Sequence, residues 1–432
     1  MLSYAEARSR VLALAEPLEG IEIALSEAVG LVLAEPLAGD VDLPPFDRAG
    51  HDGYAVQSGE AQPGACLRVV GPPQRRGRSA VRGRPRRGGG TGLLDAATAA
   101  EITLEPGEAV RVTAGAALPV GADAVLPDDD GQPEPGLGGA SAGTVRVVRA
   151  VASGQGVVPR GEHLRAGAGL VAAGTRVRLP MVGLLAAQGC VHPVCHRRVR
   201  VAVLAVGDHL VGPGEAPVMH RERNAAGLTV VAPCLQWGAT AHDLGPVAPR
   251  DLPTALARAL TAPVVVLVGE PVAAIRRACL RAGIEPVFDA VALEPGGHLC
   301  YGVVRSAAGG ATHHVFHIHA APLGVLTAVA LLVGPLIARL QGGPVEPLPA
   351  LCALWSGDPH AATGARAQAV PVLLRGSADA RLHASPLIHH GEDDLAGFAR
   401  AEALALLPAD SGPWQPGEVV EVIPLGGWPA AA

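Results

Sequence analysis

The sequence predicts a multidomain protein of mixed α/β and β class. Three observations predict it. At 432 residues the chain is longer than the ~100–200 residues that one domain usually takes. Between residues 197 and 283, apolar runs that read as buried strands alternate with helical stretches, the pattern of a parallel sheet covered on both faces. On either side of that block, residues 101–151 and 344–432 carry short alternating strand patterns punctuated by Gly and Pro.

Composition narrows the class. Hydrophobic residues make up 49% of the chain and aromatic residues 3%, so the cores must be built from small aliphatic side chains. Gly at 56 and Pro at 39 predict many turns and few long helices. A net charge of −6 excludes a general nucleic-acid binder. Every basic side chain is arginine, and no lysine occurs. Chemistry that needs a titratable amine or a compact ammonium is thereby excluded, because a guanidinium is planar, bulky and permanently charged. The N-terminal stretch MLSYAEARSRVLALAEPLEG has no basic segment followed by an apolar core, so no signal peptide is expected. The apolar stretch 324–340 is broken by Gly334 and Pro335 and falls short of the ~20 residues of a membrane span. The seven scattered cysteines then read as reduced thiols. The expectation is a cytoplasmic protein with no nucleic-acid and no membrane partner.

In chain order, residues 3–16 space Tyr4, Ala7, Val11 and Leu14 as a helix opening at Ser3. Residues 21–38 read as short strand and helix pieces. Residues 74–90, rich in Arg and Gly, read as a solvated surface loop, with an anion-attracting patch as the alternative. EAVRVTAG and ALPVGADAVL alternate as strands, DDDGQPEPGLGGASAG is a turn or linker, and TVRVVRAV returns to strand. PMVGLLAAQGC is a short helix. RRVRVAVLAVGD and APVVVLVGE are buried strands. DLPTALARALT is a helix with Asp251 as its N-cap, and VAAIRRACLRAG is a helix ended by Gly283. Ligands of parallel sheets bind at the carboxyl ends of strands, which points to the positions after Val206, Val268 and Ile318.

Residues 44–56 read PPFDRAGHDGYAV, a polar knot in an otherwise bland chain. This stretch resembles the signature loop of the molybdopterin molybdenumtransferases (MoeA and gephyrin E-domain type), usually written LPPFDNSAMDGYA. The likeness continues in order. VRVTAGAALPVGADAV, GEHLRAGAGLVAAGTRVRLPMVGLLAAQGC, RRVRVAVLAVGDHLVGPGE and the tail from Leu395 to Leu425 each resemble a family segment. The resemblance covers nearly the whole length.

It implies a discontinuous N-terminal α/β domain (1–42 and 149–179) and an inserted β-rich domain with the signature loop (43–148). A three-layer α/β molybdopterin-binding domain with a parallel or mixed sheet (180–342) and a small barrel-like β domain (343–432) follow. It also implies a homodimer, with the loop reaching a partner's cleft, and other molybdenum cofactor biosynthesis proteins as partners. The implied substrate is molybdopterin or its adenylate, with molybdate and Mg²⁺ close by. Asp52 and Asp208 match catalytic positions, and Asp52 is also the implied Mg²⁺ ligand. Gly207, Asp208, Asn224, Gly269, Pro295, Gly296 and Pro322 match the molybdopterin-binding segments. From its residues alone, Asp52 reads either as a metal or water-orienting carboxylate or as a turn aspartate before Gly53. Asp123 reads as a structural turn, and Pro44, Pro45 and Phe46 as fixing the loop's shape.

The chain departs from the family where anions bind. Val206 stands for a threonine and His209 for a glutamate. The glycine- and serine-rich loop that cradles phosphate becomes VGEPVAAIRRA, keeping Gly269 but gaining Glu270 and Pro271. The turn with two lysines becomes LEPGGH, with Glu294 and Gly297 in their place. Two unit charges ~4 Å apart near a surface interact by roughly 4 kcal/mol, so that reversal disfavours an anion strongly. HHGEDD brings Glu392 and Asp393 where hydroxyl donors stood, Gly324 replaces a serine, and Arg366 matches a family arginine loosely. A catalytically inactive paralogue that binds or scaffolds is therefore the alternative. Two further groupings, His317 with His319 and the set Cys190, His192, Cys195 and His196, read as partly exposed strand or as weak zinc ligands.

Overall fold

The computed structural model describes residues 1–71, 102–134, 143–305, 310–319, 321–344, 350–378 and 381–426. The Arg/Gly-rich stretch 74–90 lies outside them. The chain forms two compact units, Leu37–Val171 and Met1–Pro36 with Ala172–Ala432.

The first unit is built on a six-stranded sheet. Its order is Ala124–Pro127, Gly53–Val56, Glu108–Val112, Cys66–Val70, Thr144–Val147 and Gly131–Glu134. Cys66–Val70 and Glu108–Val112 pair in parallel, and the other neighbours are antiparallel. Strand alternation sends Tyr54, Val56, Leu126 and Val145 to one core and Ala55, Val110, Val112 and Val125 to the other. All four residues of Gly53–Val56 are buried, which anchors the polar knot to an interior strand of the sheet. The stretch expected to be a linker instead begins as a hairpin arm. Gly131–Glu134 pairs with Thr144–Val147, whose ladder supplies the order that Gly131 and Pro133 do not signal.

The second unit opens with helix Tyr4–Ala13, capped by Ser3 and Glu6 in a reciprocal capping box. Its α/β sheet runs Thr240–Val247, Arg200–Val206, Val264–Gly269, Thr312–Ile318, Leu299–Arg305 and Glu285–Phe288. The first four strands are parallel; the last two pair antiparallel at one edge. One face packs Val201, Val203, Val264 and Phe316 against the helices around Val230, Val325 and Leu336. The other packs Ala202, Leu204, Val265 and Leu267 against Leu252, Leu256, Ile275 and Ala278. Burial on both faces explains why these strands read as unbroken apolar runs. Asp251 stands at the N-cap position of Leu252–Ala259 but makes no side-chain cap, because its backbone is helical (φ −93, ψ −8) rather than extended.

Gly334 and Pro335 do not break the apolar stretch. Helix Pro322–Ala328 continues through a π-helical turn, Val329–Val333, into Gly334–Leu340. The wider turn relieves the hydrogen bond that Pro335 cannot donate. The resulting 19-residue helix is long and apolar enough to cross a membrane, yet 83% of its apolar window is buried inside the fold, as a core helix is.

The C-terminal sheet orders Leu2–Ser3, Val291–Glu294, Ala367–Gly376, Leu382–Pro386, Leu351–Trp355, Val419–Pro424 and Ala403–Leu407. Ala367–Gly376 also pairs with Ala403–Leu407, which curls the sheet into a small barrel around Trp355, Val372, Leu407 and Val422. Strand Val291–Glu294 joins this sheet and then turns, so residues 293–298 emerge where barrel and α/β layers meet.

Candidate functional site

Strands Arg200–Val206, Val264–Gly269 and Thr312–Ile318 end side by side because they are parallel neighbours in register. Val206 stands opposite Gly269, and Val268 opposite Ile318. Gly207, Glu270 and His319 therefore follow at one edge, where a doubly covered sheet places its ligands. Gly269 has φ +119, and a Cβ there would strike the Val206 backbone, so only glycine makes this turn. The Gly207 N–H donates to Val247 O at 3.0 Å and the Glu270 N–H to Val206 O at 3.1 Å, which commits two main-chain donors to the sheet.

The edge is lined with acids and imidazoles. Glu270 Oε1 lies 2.5 Å from His319 Nε2, both side chains about half exposed. The His319 N–H donates to His298 O at 2.9 Å, and the two rings are 6.1 Å apart. Pro295 and Gly296 form a turn (Gly296 φ +94) packed on the helix beginning at Pro322, beside Gly324 and Thr327. Glu294 Oε2 is 4.0 Å from Arg366 Nη1, a half-exposed pair of small worth. At the start of that helix the Leu323 N–H donates to Glu392 O at 3.1 Å. The Glu392 carboxylate borders Gly324. A helix N-terminus is a natural anion seat, and here the chain's own carbonyl and carboxylate stand at it. Partial burial, then the charges of Glu294 and Asp393, push the Glu392 carboxyl above its ordinary range; His298 and His319 pull the other way.

The remaining residues singled out from sequence are placed as follows. Asp208 is exposed, with no hydrogen-bond or ion-pair partner among the described residues. Asn224 is buried; its Oδ1 accepts the Gly227 N–H at 2.9 Å as N-cap of Ala225–Gln236, and its Nδ2 donates to Asp243 at 2.9 Å. Both ends of its amide are spent on the fold. His317 and His319 do not share a face: His317 is buried on Gly269 O at 3.0 Å, whereas His319 lies beyond the strand end. Cys195 is buried and His196 Nδ1 donates to Leu18 O at 2.6 Å. Among the described residues no three His, Cys, Asp or Glu side chains are placed to hold a metal.

Asp52 belongs to the other unit. It is exposed, and its Oδ1 accepts the Ala114 N–H at 2.8 Å, leaving the second oxygen uncommitted. Its neighbours account for the knot. Asp47 accepts the Arg160 N–H at 2.7 Å, and Asp42 accepts from Ala166 N at 2.8 Å and Arg160 Nε at 2.5 Å. Arg111 lies over the Tyr54 ring at 4.9 Å. Asp123 is a turn clamp: it accepts from Ser58 N at 2.6 Å and Ser58 Oγ at 2.7 Å. The His319–Glu270 pair, His298 and the Glu392 carbonyl were not visible as a set in sequence; only the strand order brings them to one edge.

A mixed β sheet carrying a loop aspartate, a three-layer α/β domain and a small barrel define a multidomain protein of α/β and β class. Comparison supports this. Residues 2–189 match the MoeA N-terminal region (domain I and II), and residues 356–425 match the MoeA C-terminal region (domain IV). The chain is 28% identical to molybdopterin molybdenumtransferase 1 of Mycobacterium tuberculosis over 98% of each chain. It is 25% identical to the molybdopterin molybdenumtransferase of Haemophilus influenzae over 79% of this chain and 78% of that one. The crystal structure of the molybdopterin biosynthesis MoeA protein from Pyrococcus horikosii superposes with a TM-score of 0.80 at 25% identity, covering 99% of this chain and 100% of that one. The chain belongs to the MoeA family of molybdopterin molybdenumtransferases.

Proposed function

We propose that this chain serves molybdenum cofactor biosynthesis as a molybdopterin molybdenumtransferase-like protein. It acts on molybdopterin or its adenylate and places molybdate into the dithiolene. The observation that carries this reading is end-to-end likeness to a molybdopterin molybdenumtransferase, 98% of both chains, with Asp52 inside the segment that matches the MoeA N-terminal region. In this reading Asp52, fixed through one oxygen by the Ala114 N–H, offers the other to orient an attacking water. Asp208 presents a second free carboxylate at the sheet edge. Mg²⁺ is held in such sites by one or two carboxylates together with waters and substrate phosphates, so the uncommitted Asp52 oxygen would offer it one ligand. No step is assigned to the ion.

A specific observation favours a second reading, an inactive paralogue that binds or scaffolds. Glu270 in contact with His319, and Glu294 and Glu392 nearby, line the strand-end edge with carboxylates, which disfavours a phosphate there. Purified protein is given molybdopterin adenylate, molybdate and Mg²⁺, and AMP release is followed. Turnover that falls at least about a hundredfold in Asp52→Asn supports the transferase. Neither binding nor AMP release supports the inactive paralogue.

The same reading carries a cytoplasmic homodimer working beside other cofactor-biosynthesis proteins. In its support, helix Leu179–Ala187 is apolar along its length yet buries only Leu185, with Leu179 75% exposed. Light scattering at twice the chain mass is the expected result; a monomer at micromolar concentration overturns it.

A further inference from the structure

The α/β sheet carries a second hollow, which meets the strand ends just described at His317. Helix Val272–Arg281 packs on the sheet through Ile275 and Ala278. Towards the antiparallel edge it leaves a cavity of about 50 Å³, with Ile275 and Cys279 on the helix side and Cys300, Val315 and His317 on the strand side. Most of this lining is apolar.

His317 is its polar floor. The side chain is 6% exposed, and its Nε2 lies 3.0 Å from Gly269 O. A carbonyl oxygen can only accept, so Nε2 carries the hydrogen. Burial keeps the ring neutral. Nδ1 is then an acceptor, and it has no hydrogen-bond partner among the described residues. At the mouth, Arg276 bonds Asp289 through Nη2 at 2.9 Å. Its guanidinium is more than half exposed, a flat cationic face suited to an aromatic ring.

Size decides how a ligand sits. A closed cavity of ~150 Å³ takes a whole benzene, so this one encloses only the inner end of a ring. The donor must enter first and the rest must lie in the mouth along Arg276.

We propose that this cavity is a binding site for a small phenol-type molecule, with its hydroxyl donating to His317 Nδ1 and its ring between the apolar wall and the Arg276 guanidinium. The ligand needs one donor on an apolar ring; an ether of the same shape has none and leaves Nδ1 unpaired.

The cavity's own thiols report occupancy. Cys279 and Cys300 line it, whereas Cys66 and Cys352 are exposed elsewhere. Full-length protein is alkylated with N-ethylmaleimide at about pH 8.5, slowly at Cys279 and Cys300, whose thiols burial pushes up to about 11, and rates are compared over long exposure. Each cysteine is followed by mass spectrometry with about 10 mM phenol or anisole present, an excess for a ligand of ~1 mM affinity. The expected result is about tenfold protection of Cys279 and Cys300 by phenol, about twofold protection by anisole as a roughly tenfold weaker ligand, and no change at Cys66 and Cys352. Equal protection by phenol and anisole overturns the assignment of His317, and no protection by either overturns the site. His317→Phe should abolish the preference for phenol. If that variant does not fold, the phenol–anisole comparison on the wild-type chain decides alone.

Discussion

The buried Tyr301–His314 pair gives the sharpest quantitative prediction. His314 is fully buried in the sheet, opposite Val264 on one side and Val303 on the other. Its Nδ1 lies 2.7 Å from the Tyr301 hydroxyl, the rings are stacked at 12°, and Nε2 is buried with no partner. An imidazolium here would have no compensating acceptor, so burial, helped by the charge of His313, depresses the His314 pKa from 6.5 to about 4. The unfolded chain then binds a proton through pH 6.5 that the fold refuses until about pH 4. Stability is unaffected above 6.5 and is lost as pH falls through that window. At ~1.36 kcal/mol per pKa unit the full loss is about 3 kcal/mol. His314→Phe removes this proton uptake. It also leaves the Tyr301 hydroxyl buried without an acceptor, at about 1–3 kcal/mol at every pH. The variant should therefore be less stable than wild type at pH 7, and the gap should close or invert near pH 4.5. Urea unfolding of both proteins at half-unit steps from pH 4.5 to 7.5 measures the difference. Other carboxyls and histidines cancel in it. A difference that stays flat across the window refutes the reasoning.

Three further outcomes follow from the same physics. Asn224→Ala removes an N-cap and strands Asp243, and should cost about 1–3 kcal/mol in urea unfolding of the α/β transition. Glu392→Gln should stabilise the protein at neutral pH: the folded carboxyl titrates above its unfolded value of 4.5, so its charge costs stability above that pH. The benefit should vanish in thermal scans below pH 4.5, where wild type is protonated in both states. Gly296→Ala forces a Cβ at φ +94 to within 2.7 Å of Gly324 O and should cost about 2 kcal/mol or more, read as a lowered denaturation midpoint.

Local rules that act within one element were readable. Ser3 ahead of the helically spaced Tyr4, Ala7 and Val11 announced a helix start, and the helix begins there. The continuous apolar runs at Arg200–Val206 and Val264–Gly269 announced strands buried on both faces, and they are. What failed was decided by a partner elsewhere in the chain. Gly131–Glu134 looks like linker because nothing local favours a strand; Thr144–Val147 makes it one. Asp251 has the right chemistry for a cap, but the chain enters its helix with Asp251 already helical. Pro335 looked like a break because sequence cannot show that a π-helical turn precedes it.

The site shows the same division, and there it bears on function. Each substitution at Glu270, Glu294 and Glu392 could be read singly as a lost donor or a reversed charge. Their joint effect depends on the sheet order: strand Thr312–Ile318 lies beside Val264–Gly269, although some fifty residues separate them, and this seats His319 on Glu270. An isolated carboxylate at a strand end can move aside for a ligand. A carboxylate paired with an imidazole at 2.5 Å, beside a helix N-terminus already met by the Glu392 carbonyl, has local partners that an incoming anion must displace. On the inactive-paralogue reading, the opposition to an anion is thus cooperative, and replacing one of these carboxylates should recover little. Glu294→Lys alone leaves Glu270, His319 and the Glu392 carbonyl in place. Only a combined variant that also replaces Glu270 and Glu392 removes the competition.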